Sequence, residues 1–314
     1  MRVMAASRIA VVVFCVAALG MVAVDEKGGR LAEIPLIDAS MASVPGGGPE
    51  AVACDGTSVW VAEQFANTVT RLDPLTGTRL GTAAVGKRPV ALLVVGATLW
   101  VANLESDSVT KLRTSDGAVL GTFRVGDGPG GLAFDGINLW VANRTSNTVT
   151  KLSLDGAVLA TFRTGPRPLN LAYDGANLWV VNNLGNTVTK LRPTDGATLA
   201  QVRAGNGPFG ILHDGSSIWV TNFFSRSVMK LRPSDGAVVG TFTVGDGPAG
   251  LAADATTLWV ANHGDSTVTR LDRATGAVIA TYTSGRGPFG VAFDGRHIWV
   301  ANFSGDSVST TLMQ

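Results

Sequence analysis

The chain's seven tryptophans, Trp60, Trp100, Trp140, Trp179, Trp219, Trp259 and Trp299, follow one another at intervals of 40, 40, 39, 40, 40 and 40 residues. So constant a period restricts the chain to a row or ring of like units, because each unit must present the same faces to its neighbours. The one short interval has a local source. Residues 153–156 read SLDG, one residue fewer than the RTSDG or RPTDG of neighbouring copies.

Within one copy, GPGGLAFDGINLWVANRTSNTVTKLSLDGAVLATFRTG, four short apolar or β-branched runs are punctuated by turn residues. GGLAF ends at Asp135-Gly136, LWVAN ends at a polar loop, TVTKL ends at Asp155-Gly156, and AVLATFR ends at a Gly/Pro turn. β-Branched residues favour the pleated strand, and Asp-Gly favours the tight turn. No stretch of the copy carries a helical period. Four antiparallel strands in about 40 residues is the pattern of a propeller blade. The predicted fold is therefore all-β, a seven-bladed β-propeller with four antiparallel strands per blade. The last copy stops after its third strand, and RLAEIPLIDASMASV at residues 30–44 can supply the missing outer one. An N-terminal strand completing the C-terminal blade closes the ring and removes the open sheet edges, whereas an open solenoid would need capping units.

The first residues are unlike the repeats. Arg2 and Arg8 precede IAVVVFCVAALGMVAV, residues 9–24, an apolar run too short for an ordinary span and suited to a signal-peptide core. The expected organisation is a signal peptide at 1–24, with an uncleaved anchor as the alternative, a linker at 25–30 and the propeller at 31–314. The protein is then secreted, periplasmic or displayed at the cell surface, touching membrane only through an uncleaved anchor. Cys15 lies within the apolar run and Cys54 is the other cysteine, so the mature domain has no internal disulfide. With 25 basic and 24 acidic side chains and no long run of one sign, no basic footprint for nucleic acid is present.

Copies carrying GP-x-G, a DG turn, WVAN and NTVTKL resemble the YVTN-type and NHL-type repeats of bacterial exported propellers, and also the repeats of the virginiamycin B lyase family. The resemblance covers nearly all of the chain after the leader and implies the fold. Activity does not follow from a fold that hosts many functions. The lyase resemblance implies acid–base histidines after the entry proline of the last two blades, with glutamates nearby. The matching positions here hold Ala249 and Phe289, with Gly287 before the last proline and Phe303 in place of a glutamate. Only Glu63 keeps a strand-end glutamate, in blade one. Proton transfer needs a titratable side chain, so the comparison predicts the lyase fold without its acid–base set.

The seven copies also serve as an internal alignment. The tryptophans are read as core between blades. The strand-end Asn103, Asn143, Asn182, Asn222, Asn262 and Asn302, with Glu63 in their place in blade one, are read as fixing the following turn through its backbone. A polar ring that holds a cation through Glu63 is the alternative. The third-strand basic residues Arg71, Lys111, Lys151, Lys190, Lys230 and Arg270 are expected to form a solvated or inter-blade ion-paired rim, with anion binding as the alternative. His213 is read as a hydrogen-bonded core residue and His297 as a turn residue on the opposite face.

Variation concentrates at two places that a propeller puts on one face. One is the loop between second and third strands, and the other is the residue after each entry proline: Glu50, Val90, Gly130, Leu169, Phe209, Ala249 and Phe289. Phe209, Phe223 and Phe224 of blade five, His263 of blade six, and Phe289 and Phe303 of blade seven are therefore expected to share a sector. Clustered exposed aromatics mark ligand or partner sites. Together with Glu50 and Glu63 they form the candidate binding set. The predicted role is a monomeric binding scaffold for a protein or small molecule, with no cofactor, metal or nucleophile–base pair assigned. The alternatives are a lyase or other enzyme using Glu50, Glu63 or His263 at the channel mouth, and a structural envelope protein.

Overall fold

A computed structural model describes residues 47–312. The expected leader, linker and closing strand at 30–44 lie outside the described residues. Among those described, the chain forms seven antiparallel sheets arranged as the blades of a propeller. Six sheets have four strands in chain order, and the seventh has the three strands Pro288–Phe293, His297–Asn302 and Ser307–Leu312. Blade five is representative of the rest, with strands Pro208–His213, Ile218–Asn222, Ser227–Leu231 and Val238–Thr243. First strands pack against one another around the axis, second strands are buried, and fourth strands form the exposed rim.

The core is a set of slabs between blades. Trp60 packs among Val94, Leu99, Val101 and Leu112 of blade two, and each tryptophan repeats this on the blade that follows. Trp299 of blade seven packs among Val52, Val59, Val61 and Leu72 of blade one, so the same slab closes the ring. Each buried indole removes roughly 150–250 Å² from water, about 4–6 kcal/mol before ordering entropy is set against it. A hydrogen bond supports the closure: Gly48 N–H donates to Asp306 Oδ1 at 3.0 Å across 258 residues. Equivalent bonds link successive blades, with Asn67 accepting from Arg88 N and Asn186 from Gly207 N. The accepting residues sit in the left-handed region, at φ 58° for Asn67, 51° for Asn186 and 47° for Asp306, which Asn and Asp tolerate well.

The first Asp-Gly turn does more than reverse the chain. Asp214 Oδ1 accepts the backbone N–H groups of Ser216 and Ser217, and Oδ2 accepts Trp219 Nε1–H at 2.7 Å. The same aspartate–indole bond is made by Asp55, Asp135, Asp174, Asp254 and Asp294. In blade two Val95 stands five residues before Trp100, and Trp100 Nε1 has no hydrogen-bond partner among the described residues.

The repeated polar residues differ from expectation in two ways, although the third-strand cations do reach between blades. The third-strand cations do not form a solvated rim. Lys230 Nζ lies 5.0 Å from the Trp219 ring centroid and donates to the carbonyls of Arg273 and Ala274 in the next blade. Lys190 does the same over Trp179, at 5.2 Å, toward Pro233 and Ser234. Arg71, Lys111, Lys151, Lys190 and Lys230 thus exchange water for an aromatic face and a turn of the next blade, while Arg270 lies over Trp259 and bonds Thr257 Oγ1 of its own blade. The strand-end asparagines donate to third-strand hydroxyls rather than fixing the turn that follows them. Among the described residues the one backbone bond to them, Gly205 N–H to Asn222 Oδ1 at 3.0 Å, comes from the entry turn before it. Asn103 Nδ2 donates to Ser108 Oγ and to Thr110 Oγ1 at 2.9 Å.

Candidate functional site

Sequence variation and backbone irregularity coincide at the mouth of the axial channel. In every blade the pairing of first and second strands slips just after the entry proline. Pro49 pairs with Glu63 and Ala51 with Ala62, which leaves Glu50 in the bulge. Bulges re-aim a side chain while the ladder continues on either side. Here they turn the most variable residue of each blade toward the axis, where Glu50, Val90, Leu169, Phe209 and Phe289 line a cavity of about 220 Å³.

The loops between second and third strands fold over the same mouth. Backbone bonds tie each to the entry turn of its own blade: Phe223 N to Gly207 O, His263 N to Gly247 O, Phe303 N to Gly287 O, and Phe65 N to Gly47 O. In blades five and seven the loop is a short 3-10 turn, Phe223–Ser225 and Phe303–Gly305.

The six predicted aromatic residues form one contiguous cluster. Phe209 meets Phe289 edge-on at 5.1 Å between ring centroids, although their blades are separated by blade six. Ala249 stands between them with no exposed surface, and its small side chain lets the two rings meet. Phe223 touches Phe209, Phe224 and His263, while His263 also touches Phe289 and Phe303. The tilted and edge-on arrangements are those that aromatic quadrupoles prefer. His263 Nδ1 is buried and unpaired among the described residues. Sequence reasoning missed Phe65, whose ring lies 5.7 Å from Phe303 across the closure between blades seven and one. The QFA loop carries the signal, since ring closure makes blade one the neighbour of blade seven. Phe65 and Phe224 are 62% and 69% exposed, so the cluster is open to solvent at both ends.

The other side of the mouth is charged. Glu50, from blade one, sits in partly buried surroundings, and burial pushes its carboxyl up to about 7 although Arg144 and Arg88 pull the other way. Arg88 is already engaged, with Nε on Gln64 Oε1 at 2.9 Å and Nη1 on Glu105 at 3.2 Å. Arg144 belongs to the blade-three loop RTS and was not in the predicted set. It reaches inward over Gly130, where a Cβ would lie 3.5 Å from Arg144 Nε and 2.7 Å from Leu169 O. Burial pulls its guanidinium down from its usual value, Glu50 partly restores it, and Nε has no acceptor among the described residues.

Glu63 is part of the scaffold below this mouth. It is 4% exposed and accepts from Thr68 Oγ1 at 2.8 Å, the place the other blades give to asparagine. His213 ends the first strand of blade five and is half-buried, without a ring hydrogen bond among the described residues, contrary to the expected hydrogen-bonded core role. His297 opens a second strand away from the mouth, its Nδ1 3.0 Å from Asp294. Among the described residues, no three His, Cys, Asp or Glu side chains converge as metal ligands would.

Solved structures share this architecture. The hydrazine synthase of Kuenenia stuttgartiensis aligns over 88% of this chain and 99% of its own, at 21% identity and a TM-score of 0.77. A catalytically inactive virginiamycin B lyase from Staphylococcus aureus, solved with quinupristin, aligns over 87% and 97% at 18% identity and a TM-score of 0.76. A streptogramin B lyase aligns over 86% and 94%, at 18% identity and 0.74. At such identities the likeness is one of fold. No family model matches the chain, and no curated protein matches it.

Proposed function

We propose that this propeller is an exported binding protein that takes an amphipathic small molecule at its channel mouth. The supporting observation is the contiguous set of rings from Phe224 to Phe65, set beside the cavity that holds Glu50. Rigid aromatics offer contact area at little entropic cost, and a few polar groups beside them fix orientation. The neighbour solved with quinupristin is an example of this fold with a small molecule. A thermal-shift screen of aromatic compounds tests the reading. A saturable ligand of the wild type should be lost when Phe209 and Phe289 are both replaced by Ala; unchanged affinity in that variant would remove the site. The leader is part of the proposal, and N-terminal sequencing of the mature protein should find residues 1–24 removed.

One observation favours a second reading, an enzyme at the same mouth. A carboxyl that titrates near neutrality is suited to general acid–base work, and Glu50 is such a group. Two of the neighbouring folds are lyases by name. The non-titratable Ala249 and Phe289 at the family's histidine positions weigh against it, so binding stands first. Turnover of any screened ligand that disappears in Glu50→Gln would reverse that order.

A further inference from the structure

We propose, resting on the binding reading above, that the ligand is an aromatic carboxylate whose anionic group is received by Arg144 and Glu50 while its ring lies against Phe209 and Phe289. Three features of the mouth carry this. The first is an uncommitted cation. Arg144 Nε is buried without an acceptor, whereas Arg88 beside it is occupied by Gln64 and Glu105. A desolvated guanidinium lacking an acceptor is costly, and a carboxylate is its planar, two-point complement.

The second feature is the room made for that cation. Of the seven positions after the entry proline, only blade three has glycine, where a Cβ would crowd Leu169 O at 2.7 Å and stand 3.5 Å from Arg144 Nε, so the glycine leaves the guanidinium open on the cavity side. The third is the opposite wall. Phe209 and Phe289 line the same cavity, whose volume of about 220 Å³ suits a molecule of one or two rings. Charge and ring therefore have separate receptors within one opening.

Glu50 determines how this site responds to pH. The charged groups acting on it are Arg88 of blade two and Arg144 of blade three, while blade seven presents Phe289 and Gly290 and Glu63 lies beside Pro49 on its own blade. A carboxylate arriving at Arg144 favours the protonated form of Glu50, which then donates a hydrogen bond to it. Binding takes up a proton, so affinity falls as pH rises from 6 to 8.5.

Calorimetry with indole-3-acetate and the neutral indole-3-acetamide tests the proposal on the full-length mature protein. A short peptide ending in a free Phe carboxylate distinguishes a chain terminus from a free acid. At pH 6 the acid, or the peptide if a terminus is the source, should bind about tenfold or more tightly than the amide. Arg144→Gln should erase that preference while leaving the amide unaffected, Arg144→Lys should restore part of it, and Glu50→Gln should flatten the pH dependence. A single cooperative thermal transition in each variant shows that it is folded. Should acid and amide bind equally in a Phe209-dependent way, the carboxylate assignment fails and the aromatic mouth stands. If none of the probes binds the wild type, both fall.

Discussion

Blade two offers an internal control for the aspartate–indole bond. Trp100 and Trp219 are both fully buried, and each lies 5.9 Å from a fourth-strand phenylalanine, Phe123 or Phe242. Each also carries a lysine on its face, Lys111 at 5.2 Å or Lys230 at 5.0 Å. Replacing either indole with phenylalanine therefore loses similar area and similar ring contacts, about 1–2 kcal/mol. The polar terms differ in sign. Trp219→Phe removes a charge-assisted bond to Asp214, worth about 1.5–3 kcal/mol, whereas Trp100→Phe removes an unpaired buried N–H whose relief is about 1–3 kcal/mol. Trp219→Phe should therefore be the more destabilising by about 3 kcal/mol. For a domain of this size that corresponds to roughly 6–12 °C in Tm. Circular-dichroism melts and urea midpoints at matched m-values measure the difference. Equal losses in the two variants, within about 0.5 kcal/mol, would refute the argument that the aspartate acts through the indole.

Three further outcomes are expected. Burial alone would raise the Asp214 carboxyl, but bonds from Trp219, Ser216 and Ser217 outweigh it and hold the group at about 2, below its ordinary 3.8. Its contribution, about 2 kcal/mol, is complete above pH 3.8 and lost as pH falls through 2, so Asp214→Asn should remove that part of the acid limb of a stability–pH curve. Glu50 has the opposite sign: its folded-state value of about 7 lies above the ordinary 4.5, so stability declines as pH rises from 4.5 to 7. Glu50→Gln should accordingly stabilise the protein by about 2–3 kcal/mol at pH 8 and little at pH 4.5, read by thermal unfolding at both values. On the inner ring a Cβ on Gly290 would stand 2.8 Å from Glu50 O, so Gly290→Ala should separate blades one and seven and lower Tm by several degrees in the same melts.

Much of the scaffold was legible because each blade solves the same local problem. Asp-Gly turns, β-branched strands and one indole per blade must recur wherever the same slab recurs, so blade number and strand order followed from the spacing. Phe209, Phe223, Phe224, His263, Phe289 and Phe303 were legible as a group for a related reason: variation against a constant background shows where the scaffold does not dictate the residue. The basic third-strand positions were misread because their sequence context is that of an ordinary exposed strand. Only the packed blades place an indole beneath each lysine or arginine.

The sequence by itself determined the repeat, the seven blades and the face on which the copies differ, since these depend on periodicity and turn chemistry within about 40 residues. Tertiary structure decided which differences meet. Ring closure brings Phe65 to Phe303, a small Ala249 lets Phe209 reach Phe289, and the shared channel mouth sets Arg144 of blade three beside Gly130 on the cavity that Glu50 of blade one also lines. Those relations join residues of different blades through the curvature of the ring, and no local pattern along the chain encodes them.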